Sequence, residues 1–299
     1  MASLRELRNK IKSVKSTEQI TKAVKMVAAA RMRRSQLAIL AARPFASKME
    51  HTVRELALLE EREDMTAGKP VNIHPFFDRR AEGAELLVVV AGDKGLCGAF
   101  NSNILRAAND WFKARAGRKT LCVVVGRKAR DFVHRLRGYD IEITTEVINV
   151  FPKISYAHAE LVGRAVIDAY MNKGAASVTV IYNEFQSVAQ QRLLTASLLP
   201  IPAPAVVPNS IELPDYGFEP GRQELLAQLL PRHIKAQIYR ILLESQAAEL
   251  AARMNAMDAA SKNAKEMREA LNLEANRTRQ AAITKELAEL IGGAEALAG

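Results

Sequence analysis

From Ala2 to Ala42 the chain carries neither Gly nor Pro, and Leu4, Leu7, Ile11 and Val14 recur at 3-4-3 spacing, the seam along which one helix packs on another. Ser3 and Glu6 stand in the relation of a capping box, which places the helix start at the beginning of the chain. About 40 helical residues would extend on the order of 60 Å. Beyond Val14 the heptad positions fall on Glu18, Thr21 and Lys25, while apolar residues return out of register at Ile20, Val24 and Val27. This pattern predicts a helix held partly by surfaces other than one partner helix, or left in water. Pro44 is expected to interrupt it, with helix resuming over 45–63 and a linker opening at Gly68 and Pro70.

In the centre the period changes. Residues 85–91, 120–125 and 177–182 are short apolar runs rich in Val, and helical patterns over 102–115, 128–136 and 156–172 lie between them, the last stopped by Gly174. Such alternation predicts a mostly parallel sheet covered on both faces. Residues 141–145 and 190–199 are weaker strand candidates.

Pro200, Pro202, Pro204, Pro208, Pro214 and Pro220 exclude helix interior and central strand from the next stretch. From Arg232 to Ile291 there is again no Gly or Pro, enough for one helix of roughly 90 Å. Ile234, Ile238, Ile241, Ser245, Ala248 and Ala252 keep a 4-3-4-3-4 spacing, and this seam of small residues requires a close helical neighbour. The N-terminal helix is the obvious one. The expected fold is α/β: a long antiparallel coiled coil of the N- and C-terminal helices plus a central Rossmann-like α/β domain with a mostly parallel sheet. The expected boundaries are 1–67 for the N-terminal helix, 68–84 for a linker, 85–200 for the α/β domain, 201–222 for a Pro-rich connection and 223–299 for the C-terminal helix.

Charge sharpens the picture. The formal net charge is +10, and eleven Lys and Arg residues fall within 1–43 against Glu6 and Glu18 alone, which implies an acidic partner. No aromatic residue precedes Phe45, so neither base stacking nor interfacial insertion into a membrane is favoured for this segment, and nucleic acid is not an expected partner. An acidic protein surface remains. No apolar run approaches the roughly 20 residues needed to span a bilayer, so membrane association is expected to be peripheral. Cys97 and Cys122 are the two cysteines; both fall in apolar, strand-like surroundings, which argues for a reducing, cytoplasmic compartment.

The segment with most catalytic appeal is Gly92-x-x-Gly95-x-x-Gly98 with Lys94, because a glycine loop between strand and helix can present N–H groups to phosphate. Its spacing fits neither the Walker nor the dinucleotide fingerprint, and a tight turn with close helix–sheet packing is the preferred reading. A nucleotide-binding α/β enzyme using this loop is the alternative. His51, His74, His134, His158 and His233 are scattered without ligand spacing, so no metal, cofactor or catalytic group is expected.

Three stretches together carry a family resemblance: Ile20-Thr-Lys-Ala-Val-Lys-Met-Val-Ala-Ala-Ala-Arg-Met-Arg-Arg34, Gly92-Asp-Lys-Gly-Leu-Cys-Gly-Ala-Phe-Asn101 and Arg277-Thr-Arg-Gln-Ala-Ala-Ile-Thr-Lys-Glu-Leu287. They resemble the gamma subunits of F-type ATP synthases along the whole chain. The resemblance implies a non-catalytic axle inside a ring of alpha and beta subunits, with an epsilon subunit and a membrane c-ring as further partners, at the cytoplasmic face of the bacterial inner membrane. It also implies partner contacts at Arg253, Arg279, Gln280 and Thr284 on the C-terminal helix, with Lys22, Val24 and Met26 on the N-terminal helix beside them. Val24 stands where many relatives carry methionine and keeps the apolar character. The cysteine-bearing insertion of chloroplast relatives is missing here, so thiol regulation is not expected. The apolar tail after Leu287 is expected to form a tip seated in a bearing.

Overall fold

The computed structural model describes residues 3–66, 73–151, 153–202, 219 and 221–298. Its chain divides into two compact units, Met1–Ala29 with Arg253–Gly299, and Ala30–Ala252. Two helices, α1 (Leu4–Thr66) and α5 (Arg222–Ala298), contribute residues to both. The linker expected over 68–84 and the connection over 201–222 lie partly outside the described residues.

In the first unit α1 opens with the capping box expected at Ser3. The Ser3 N–H donates to Glu6 Oε2 at 2.9 Å and the Glu6 N–H to Ser3 Oγ at 3.3 Å, satisfying two of the donors that a helix start leaves unpaired. Leu4, Leu7, Ile11, Val14, Glu18, Thr21, Lys25 and Ala28 are the α1 positions drawn away from water at an unbroken 3-4 spacing. On α5 the same spacing links Met257, Ser261, Ala264, Arg268, Leu271, Ala275 and Thr278. As α1 advances from Glu18 to Lys25, its ion-pair partners on α5 retreat from Arg268 to Asp258, so the helices are antiparallel. The seam therefore does not lose register after Val14, contrary to the expectation from apolar residues alone. Glu18 and Lys25 keep their heptad places because each meets an opposite charge across the seam. Ile20 and Val27 face outward instead, 60% and 53% exposed.

In the second unit a five-stranded sheet runs β1 (Ala84–Val90), β2 (Thr120–Val125), β3 (Ile141–Val147), β4 (Ala175–Phe185) and β5 (Gln191–Leu199), in spatial order β3-β2-β1-β4-β5. All neighbours are parallel except β5, an antiparallel edge joined to β4 by a hairpin. The Val-rich runs of β2 and most of β1 are buried at every position, as central parallel strands require. The helices α2 (Phe100–Lys113) and α3 (Arg127–Val133) follow β1 and β2, and α4 (Tyr156–Met171) precedes β4. The first two crossovers step one way along the sheet and the third steps back across β1. Right-handed connections then put α4 on the face opposite α2 and α3. On α4's side, Gly163 lets α5 approach: a Cβ there would stand 2.7 Å from Lys235 Cγ.

The same unit pairs α1 with α5 in antiparallel fashion, through Ser35 Oγ to Gln246 Oε1 at 2.6 Å and Gln223 Nε2 to Glu60 Oε1 at 2.6 Å. Val53 and Leu56 of α1 and Leu226, Leu230, Ile234, Ile238 and Ile241 of α5 join the core of the sheet. Pro44 does not break α1, and α5 begins at Arg222 and runs through Pro231. A proline removes one N–H and frees the carbonyl four residues earlier. Here those carbonyls belong to Leu40 and Ala227, both exposed, where water satisfies them, while Ala46, Met49, Leu226 and Leu230 hold the opposite faces in the core.

Residues 241–251 of α5 are buried on every side, Glu244, Ser245, Gln246 and Glu249 included. Burial raises the Glu244 carboxyl above its ordinary range, with Arg240 acting against the shift and Glu184 adding to it. The folded chain thus holds this proton more tightly than the unfolded chain, and stability declines as pH rises above the ordinary carboxylate range. Replacing Glu244 by Gln is expected to raise the melting temperature at pH 7, with the gain shrinking as the pH is lowered toward 4. Calorimetry across that range checks both the sign and the slope.

Candidate functional site

The residues to which the resemblance assigns partner contacts lie mostly on the solvent side of the paired helices in the first unit. Lys22 and Met26 are exposed, and Val24 is half-buried at the edge of the seam. Arg253 is half-buried, whereas Arg279, Gln280 and Thr284 are exposed, the Thr284 hydroxyl donating to the Gln280 carbonyl at 2.9 Å. The structure does not gather them into one place. Arg253 and Arg279 are separated by about 39 Å of helix at 1.5 Å per residue. Because Lys25 pairs with Asp258 at 2.6 Å, Lys22, Val24 and Met26 lie level with α5 beyond Arg253. They stand about one to three turns from Arg253 along the axis and roughly 30 Å from Arg279. The antiparallel register makes this correction to the placement expected from the sequence.

Two levels therefore present chemistry outward. At the first, Ile20 and Val27 lie one above the other on an exposed face, and Lys22 and Met26, four residues apart, lie together on another. At the second, every side chain from Arg279 to Ile291 is exposed, and Ile283, Leu287, Leu290 and Ile291 follow helical spacing on one side. Solvent-facing rows of this kind mark contact surfaces. Their signal in the sequence was the apolar residues falling outside the heptad frame. The ion pairs that hold the frame, Glu18 with Arg268 at 3.1 Å and Lys25 with Asp258, were not read from the sequence. The Asp258 carboxyl lies below its usual range because Lys25 and Lys262 donate to it.

The glycine segment after β1 is closed from within. The Asp93 carboxylate accepts from three backbone N–H groups: Arg127 at 2.9 Å and Asn149 at 2.8 Å on one oxygen, Phe151 at 3.1 Å on the other. Arg127 N–H is the first donor of α3, so an internal carboxylate occupies the helix terminus where a phosphate would otherwise be attracted. Asn101 adds a second brace, accepting from Gly92 N–H at 2.8 Å and donating to the Lys94 carbonyl at 3.1 Å. At Gly126, with φ +89°, a Cβ would fall 1.9 Å from the Ala91 carbonyl oxygen. These are the features of a tight, closely packed turn, and Asp93, to which the glycine spacing assigns no role, organises it.

Cys122 is buried in β2 and its thiol is pushed far above the usual range by burial. Cys97 lies in the turn before α2 rather than in a strand, and is also buried. Among the described residues no group of three His, Cys, Asp or Glu is placed to hold a metal ion, and no helix is long and apolar enough to cross a membrane.

Comparison with known proteins places these features in context. A sequence profile described as ATP synthase matches residues 3–297. The chain is 40% identical to the ATP synthase gamma chain of Elusimicrobium minutum (strain Pei191), over 99% of each protein. It is 43% identical to that of Desulforamulus reducens, over 99% of this chain and all of the relative. Among solved structures, the central stalk and c-ring assembly of the Tetrahymena thermophila mitochondrial ATP synthase contains a chain similar at TM-score 0.59 and 25% identity, over 81% of this chain and 99% of that one. A chain of the Euglena gracilis mitochondrial ATP synthase shares the fold at TM-score 0.66 and 19% identity, over 98% and 94%.

Two measurements check the geometry. Asp93→Ala strands three N–H groups and is expected to cost several kcal/mol at roughly 1–3 kcal/mol per buried unpaired group. Asp93→Asn should cost less, because one amide oxygen can still serve Arg127 and Asn149. For the helix pair, Glu18→Lys or Arg268→Glu alone should lower stability by about 0.2–1 kcal/mol. The double exchange should recover most of that loss in a chemical-denaturation cycle.

Proposed function

Since the chain belongs to the ATP synthase family, we propose that it acts as the central rotor shaft of a proton-translocating F-type ATP synthase and performs no catalysis itself. The observation that carries this reading is the helix pair of the first unit, whose seam is closed inward while its apolar and cationic side chains face outward at two levels. A shaft needs both properties. The seam keeps the two helices in one register under torque, and the outward rows meet a surrounding ring of alpha and beta subunits.

The mechanism follows from differential contact. Proton flow turns the membrane c-ring, and the shaft turns with it, attached through the epsilon subunit and the ring. Each beta subunit then faces a different side of the helix pair. A conformational equilibrium shifts only by the difference in contact free energy between its states, so an asymmetric shaft biases each nucleotide site in turn toward open or closed. Lys22, Val24 and Met26 with Arg253 form one contact level, and Arg279, Gln280 and Thr284 form another. The exposed row of Ile283, Leu287, Leu290 and Ile291 forms a tip whose apolar contact is non-directional and permits rotation. The complex stands at the cytoplasmic face of a bacterial inner membrane, with this chain attached peripherally.

Replacing Arg279 and Gln280 together by Ala tests the second contact level. Hydrogen bonds to charged partners contribute about 1.5–3 kcal/mol each, so the variant complex should assemble while its coupled ATP synthesis in membrane vesicles falls severalfold. Unchanged synthesis with normal assembly would remove these residues from the coupling path.

A further inference from the structure

A cavity of about 280 Å³ opens within the α/β unit between α1, the β4–β5 hairpin and α5. Arg54 enters its lining from α1, Ser197 from β5, and His233, Gln237 and Arg240 from three successive turns of α5. Its polar residue types are rich in donors: a guanidinium group from α1 and another from α5, a hydroxyl, an amide and an imidazole.

Two of these groups are unsatisfied. His233 is 7% exposed, and its Nδ1 is buried without a hydrogen-bond partner, as is Arg240 Nε. Neither of these two atoms has accessible surface, so both lie behind the cavity wall, and the lining is formed by other atoms of the two side chains. Neither arginine forms a salt bridge among the described residues. Burial lowers the His233 pKa, so its ring is neutral at pH 7 and presents one N–H and one lone pair. The one acidic lining group, Glu50, is exposed, leaving a positive balance in the lining.

We propose that this cavity binds a small oxyanion, a phosphate group held between Arg54 and Arg240 with hydrogen bonds from Ser197 and His233. Paired guanidinium forks match the geometry of phosphate oxygens. Glu50 also lines the cavity, and its carboxylate can accept a hydrogen bond from the hydroxyl of a monohydrogen phosphate. The volume sits at the lower limit of small-molecule pockets, about 300 Å³, which suits inorganic phosphate or a short phosphorylated metabolite and excludes a nucleoside triphosphate. The inference is independent of the rotor reading.

The test is calorimetric titration of the full-length chain with inorganic phosphate at constant ionic strength set by chloride. A single saturable site is expected, with affinity at least 10-fold weaker in Arg54→Gln and in Arg240→Gln, and unchanged in the double variant Arg31→Gln, Arg34→Gln, which removes cations elsewhere on the same unit. Arg240 lies near buried Glu244 and its loss affects folding, so Arg54, an exposed residue, carries the decisive comparison. Phosphate should also raise the melting temperature of the wild type and not of Arg54→Gln. Absence of saturable binding, equal binding by Arg54→Gln, or an equal loss in the Arg31, Arg34 variant overturns the proposal.

Discussion

The structure depends on the antiparallel contact between α1 and α5, chain segments more than 200 residues apart for most of the pairs they form. Each unit contains its own stretch of that contact. In the first, the seam is made of small and medium side chains, with Ala28, Met257 and Ala264 buried and Leu7 almost fully so. Small residues let two helices approach closely, but they carry little apolar area to define register. Ion pairs supply the missing specificity: Glu18 finds Arg268 and Lys25 finds Asp258, and a slip by one residue would separate both. Pairs this exposed stabilise little. Their role is to select one register among several of similar apolar content.

In the α/β unit the helix pair is anchored differently. Residues 241–251 of α5 are enclosed by neighbours on every side, so polar groups had to be accommodated inside. Gln246 is paired at both ends, its oxygen accepting from Ser35 and its nitrogen donating to the Phe151 carbonyl at 2.8 Å. Glu244 is not: one carboxylate oxygen has no partner, and the group answers by resisting ionisation. The two residues show the two outcomes open to a polar side chain in a dry interior, pairing or neutralisation. At the carboxyl ends of β1, β2 and β3, Asp93 takes the first course and binds three backbone donors, which turns a segment with the look of a phosphate loop into a structural clasp.

Much of this was legible in advance, for reasons that differ by element. The buried runs of β1 and β2 and the capping box at Ser3 are encoded in residues adjacent in the chain, so periodicity and composition reveal them. The polar seam positions were legible only as anomalies. Glu18 and Lys25 looked like the end of a heptad frame because their partners lie 250 and 233 residues further on. Pro44 looked like a break because a proline's local cost is visible in sequence, whereas the packing that outweighs it is not.

The candidate contact residues show the same division. That Arg253 and Arg279 share a helix follows from the absence of Gly and Pro between them. That Lys22, Val24 and Met26 stand nearer the former than the latter follows from how two distant segments align. The sequence by itself determined the long helices, the strand order along the chain and the family to which the chain belongs, because those rest on local periodicity and local motifs. Tertiary structure alone decided register, which polar groups are buried, and which apolar residues face outward, because each of these depends on a surface contributed by residues far away in the chain.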